Sequence, residues 1–101
     1  MNAEEIKKEE IISFLYGIVE EHNKINPEEL QLMKSLDTEL VGLNGRLDSL
    51  GLINFLVEVE SNLNKKYQSN ICIIDEILLL DQEGPYKNLE NLCEYILEKI
   101  K

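Results

Sequence analysis

The chain has 101 residues, which is one domain's worth with room for a single core. Hydrophobic residues make up 44% and aromatics only 6%, so an aliphatic core is expected and a disordered chain is not. Acids outnumber bases 20 to 10, a net charge of −10. Such a chain repels nucleic-acid backbones and anionic membrane surfaces, and a basic protein partner is its natural complement.

The N-terminus, Met1-Asn2-Ala3-Glu4-Glu5, is acidic where a secretory leader would be basic and then apolar. No apolar run approaches the ~20 residues of a membrane span, so the expectation is a soluble cytoplasmic protein without membrane insertion. Residues 3–22 read as a helix, with Ile11, Phe14, Leu15 and Ile18 at helical spacing and Val19 beside them. Asn2 and Glu5 have the spacing of a capping pair. His22, the only histidine, falls near the end of this helix, where an exposed residue favourable to the dipole is expected.

Asn26-Pro27 breaks the chain, and Pro27-Glu28-Glu29 can open a short helical turn through Leu36. The stretch that follows, with Gly42, Asn44 and Gly45, argues for a loop; its regularly spaced leucines argue that the loop packs on a core. Long ordered loops in small domains are uncommon and often functional.

Residues 49–66 form the second helix. Leu52, Phe55, Leu56, Val59 and Leu63 share one face, which is expected to be buried. Leu50, Ile53 and Val57 form a second apolar stripe, which asks for a second surface: more of this core, or a partner. Residues 67–74, with alternating Ile71-Cys72-Ile73, read as an extended connector. Asp75 can cap a short third helix over 76–80, and residues 81–85 form a turn. The last helix is capped by Asn88 and carries Leu89, Leu92, Cys93, Ile96, Leu97 and Ile100 on one side. The expected architecture is one all-α domain over 1–101, with three long helices, one short helix and a long loop before the second helix.

Catalytic chemistry is sparse. A nucleophilic site has only His22 to draw on, and no phosphate-binding glycine loop is present. Cys72 and Cys93 lie 21 positions apart with no CxxC and no Cys/His cluster, so neither a zinc site nor a redox motif is expected; both read as buried free thiols. The chain is not expected to be an enzyme. What remains is the junction Leu47-Asp48-Ser49-Leu50, where a glycine-containing loop meets an amphipathic helix. A phosphate ester on Ser49 would lie at a helix N-terminus, beside unpaired N–H groups and the positive end of the dipole. The Leu50 stripe would lie next to it.

In these features the sequence resembles the acyl carrier proteins. The resemblance covers nearly the whole chain: a first helix, a long loop with Asp37-Thr38-Glu39-Leu40, the Asp48-Ser49-Leu50 motif, a second helix with Glu58 and Glu60, a short third helix and an amphipathic fourth. It implies an acyl-carrier-like four-helix bundle. It also implies that Ser49 carries 4′-phosphopantetheine, added from coenzyme A by a phosphopantetheinyl transferase, with Asp48 and Leu50 as flanking recognition residues. The arm's thiol would hold an acyl group as a thioester, so neither cysteine is needed. Leu50, Ile53, Asn54, Val57 and Glu58 would face acyl-loading and acyl-transfer enzymes bearing basic or apolar docking patches, with the carrier itself a monomer. An aminoacyl or peptidyl carrier, such as a D-alanyl carrier, and an unmodified helical adaptor of the same fold are the alternatives.

The chain departs from the family's usual pattern at three places. Gly45 lies one position further from the Asp-Ser pair than is usual. Gly51 follows Asp48-Ser49-Leu50, at a cost of about 1 kcal/mol in a helix interior and less in a first turn. Asn54 stands where carriers of fatty acid synthesis usually show an acid. With Gly84-Pro85-Tyr86 before the last helix, the pattern looks like specialised bacterial carriers, which serve pathways such as lipid, polyketide or surface-polysaccharide biosynthesis.

Overall fold

A computed structural model gives the fold. It describes residues 6–41, 45–75, 77–81 and 83–100. Three α-helices form there: α1 (Lys8–Ile25), α2 (Ser49–Tyr67) and α3 (Leu89–Ile100). Single 3₁₀ turns occupy Glu28–Leu30 and Leu78–Leu80. The protein is all-helical, and the bridge between Glu39 and Asn88 stands alone, outside any strand, among the described residues.

The apolar stripes explain the helices. Ile11, Leu15, Ile18 and Val19 of α1, Leu52, Phe55, Leu56, Val59 and Leu63 of α2, and Leu89, Leu92, Cys93 and Ile96 of α3 are all buried in one cluster. Asn88 caps α3 by accepting from the Asn91 N–H at 2.7 Å.

Helix α1 differs from the expected 3–22. It starts at Lys8 and runs on to Ile25, while Lys7 is extended; residues 3–5, and the Asn2–Glu5 capping pair, lie outside the described residues. Pro27 sets the end. It disfavours helical geometry in the residue before it, and Asn26 is extended at φ −122°, ψ 149°. The later end of the helix corrects the expectation for His22. Spaced four residues beyond Ile18, His22 continues the core stripe and is buried.

The turn after Pro27 closes at Leu30 rather than Leu36, because the chain is then held extended by side chains of α1. Asn23 donates to the Leu32 carbonyl and accepts from the Leu32 N–H, both at 2.8 Å. Gln31 donates back to the carbonyls of Asn23 and Asn26. Leu32, Leu40 and Leu47 then enter the core, as the leucine spacing of the loop suggests. At 36–40 the loop pairs with the start of α3. The Leu40 N–H donates to the Lys87 carbonyl (2.8 Å), Leu89 N–H to Thr38 (3.1 Å) and Glu90 N–H to Leu36 (3.1 Å). First-turn donors of α3, which have no intrahelical partner, are thereby used.

The expected short helix over 76–80 is a 3₁₀ turn at Leu78–Leu80, with residue 76 outside the described residues. The residue before that turn is Ile77, and Asp75 caps only the bend leading into it, its Oδ1 accepting from the Ile77 N–H at 2.8 Å. Too few residues separate that cap from the next turn, where Gly84 N–H donates to the Asp81 carbonyl, for an α-helix to propagate. Ile77 and Leu80 stay exposed, and only Leu78 and Leu79 pack, partly buried, against the core.

The connector before it is extended, so its side chains alternate. Ile73 is fully buried, and Ile71 and Ile74 are partly so. Cys72 therefore points outward and is an exposed thiol, contrary to expectation, while Cys93 is buried.

Candidate functional site

Ser49 is the first residue of α2 and is exposed. The preceding loop reaches it through two fixed points. Leu47 is buried, and its N–H donates to the Leu40 carbonyl at 3.2 Å. Asp48 is extended and forms the N-cap, its Oδ1 accepting from the Gly51 N–H at 2.7 Å. The first turn of α2 contains no acidic side chain. The hydroxyl of Ser49 thus stands on a capped helix N-terminus, where backbone dipoles favour an anion.

Gly51 fits this turn closely. A Cβ there would stand 3.1 Å from Asp48 Oδ1 and 3.5 Å from the Leu47 side chain. A side chain there would press the cap oxygen by a few tenths of an ångström, whereas its contact with the buried leucine would be ordinary. Gly45 meets a harder limit: a Cβ would come within 2.5 Å of the Val41 backbone.

The candidate docking residues divide between two strips of α2. Leu50 (67% exposed) and Val57 (50% exposed) lie in solvent, with the half-buried Ile53 between them. The core of this chain therefore does not account for that stripe. Asn54 and Glu58 belong instead to the side of α2 that turns toward the end of α1.

There a cleft of about 250 Å³ opens. His22 and Ile25 form one wall, Leu30 and Leu47 the loop side, and Gly51, Asn54, Phe55 and Glu58 the α2 wall; Asp48 lies at its edge. The α1 wall is held in place by hydrogen bonds. His22 Nε2 bonds the Leu30 carbonyl at 2.9 Å, Asn26 Nδ2 donates to the His22 carbonyl at 2.8 Å, and the His22 ring meets Phe55 edge-on at 5.7 Å.

The sequence reading places Asp48, Asn54 and Glu58 near Ser49 but misses the part played by His22, Ile25 and Leu30. The four-residue step from Ile18 to His22 was the available sign that His22 faces inward. Nothing local marks Leu30 as its partner.

Among the described residues no group of three His, Cys, Asp or Glu side chains is placed to hold a metal, and no helix is long and apolar enough to cross a membrane. Comparison with known protein families, curated proteins and solved structures found no match to this chain.

Proposed function

We propose that this chain is an acyl carrier protein, modified on Ser49 with 4′-phosphopantetheine. The observation that carries the reading is the exposed Ser49 at the capped start of α2, with the uncovered Leu50 and Val57 and the half-buried Ile53 alongside. A serine in the first turn of a capped helix would alone be ordinary. A solvent-facing serine preceded by a capping aspartate, flanked by an apolar face that this chain does not cover, suits a platform that is modified and then read by other proteins.

The residues fit the group. Ser49 supplies an accessible hydroxyl, and the helix N-terminus favours the phosphodiester charge. Asp48 is already bound to the Gly51 N–H, so it orients the turn rather than competing for the hydroxyl. When attached, the group supplies the thiol on which an acyl cargo is held. On this reading the architecture is an acyl-carrier-like bundle in which the Leu78–Leu80 turn takes the place of the short third helix. Leu50, Ile53, Asn54, Val57 and Glu58 face the transferase and the acyl-handling enzymes, and the chain works in the cytoplasm without catalysing a reaction itself.

Intact-protein mass after incubation with coenzyme A and a broad-specificity phosphopantetheinyl transferase tests this. Wild-type protein should gain one phosphopantetheine, and Ser49→Ala none. A wild-type mass that does not change, with either a broad-specificity transferase or those of specialised pathways, would overturn the reading.

A further inference from the structure

We propose that the cleft between α1 and α2 seats the pantetheine arm itself. This rests on the carrier reading above and adds a binding site to it.

Position is the first argument. Asp48 and Gly51 both line the cleft, so it begins within the turn that bears Ser49. The glycine, which the carrier motif does not require, has a use here: it leaves the entry free of a side chain where a Cβ would already crowd the cap.

Chemistry is the second. The pantetheine arm has two amides, a hydroxyl and a pair of geminal methyls. The cleft offers matching surfaces: the exposed Ile25 and Leu30, over a floor of the buried Phe55 and Leu47, for the methyls, and the Asn54 amide and Glu58 carboxylate for the polar groups. Asn54 can both donate and accept, and Glu58 can accept an amide N–H. His22 acts as wall rather than ligand, since both its ring nitrogens already face partners in Leu30 and Asn26. Because those bonds fix the α1 wall, little ordering is needed on binding.

Geometry supplies the third. Gly51, Asn54 and Glu58 each follow Leu50, Ile53 and Val57 by one residue. The cleft strip is therefore rotated by about 100° from the outward stripe. An arm lying in the cleft leaves the stripe open to a partner, so one helix can store the arm on one side and be read on the other.

The test uses the full chain, uniformly labelled with ¹³C and ¹⁵N and loaded from unlabelled coenzyme A. Isotope-filtered NOEs from the geminal methyls should reach Phe55, Leu30 and Ile25, and the Ile25 and Leu30 amide resonances should shift on loading. Contacts confined to Leu50 and Ile53, or no contacts at all on a chain whose mass shows loading, would overturn the proposal while leaving the carrier reading intact. Absence of the mass gain would instead overturn the carrier reading, and this site with it.

Discussion

Tyr86 is the largest fully buried side chain, and it brings a hydroxyl into the core. That hydroxyl donates to the Ile73 carbonyl and accepts from the Asp75 N–H at 3.0 Å, tying the connector to the turn before α3. Burial pushes its phenol up to about 12. A folded-state value above the unfolded one of about 10 favours folding while the group is neutral. The contribution is complete below about pH 10 and is lost as pH rises through 12. Tyr67, partly buried and donating to the Glu10 carboxylate, moves in the same direction. Urea midpoints for wild type should fall between about pH 10 and 12, and Tyr86→Phe should flatten that fall at a cost of about 1–3 kcal/mol at neutral pH. An equally steep fall in the variant would mean that other groups govern the alkaline limb. His22 is the other buried polar side chain with a structural task. His22→Leu keeps the bulk but leaves the Leu30 carbonyl without its partner, so thermal unfolding should show a loss of about 1–3 kcal/mol. An unchanged melting temperature would show that the wall of the cleft does not depend on this bond.

Helix α2 ends on Gln68 in the left-handed conformation, φ 50°, with its N–H donating to the Asn64 carbonyl. Ser69 N–H returns to the same carbonyl, and the Asn64 side chain holds Ile71 on both sides, at 2.8 and 2.9 Å. The position suits glycine, because a side chain there costs about 1 kcal/mol or more. Gln68→Gly should therefore raise the melting temperature by roughly 4–8 °C; a decrease would mean that the glutamine side chain makes a contact of its own. Elements of this kind were unevenly legible in the sequence. The start of α2 and its buried face followed directly from Asp48 and the five-residue stripe, because a cap and a regular period act locally. The exposed second stripe was legible as a question, and only packing could answer it. The end of α1 is less legible: His22 reads as a terminus, although Pro27 governs backbone geometry only from Asn26 onward. The cleft was not legible at all: it depends on Asn23, Gln31 and His22 gripping a loop whose path no periodicity describes.

At the scale of the molecule, the ion pairs, such as Lys8 with Glu94 and Lys34 with Glu20, lie at the surface, where such pairs contribute about 0–1 kcal/mol each. Stability therefore rests on the aliphatic core, and the surface can be altered with little effect on folding. Val57→Lys should leave helical content and melting temperature within about 0.5 kcal/mol of wild type, yet impair acyl transfer with partner enzymes. A large loss of stability would instead assign the stripe to the core. The pairing of loop 36–40 with the start of α3 has a consequence for synthesis. Its hydrogen bonds join segments separated by about 50 positions, so they cannot close until both have been made. A chain growing on the ribosome exposes Ser49 long before Lys87, Leu89 and Glu90 emerge. The segment leading into the serine thus reaches its final form only after translation has passed the beginning of α3, and recognition that depends on that form is delayed until then.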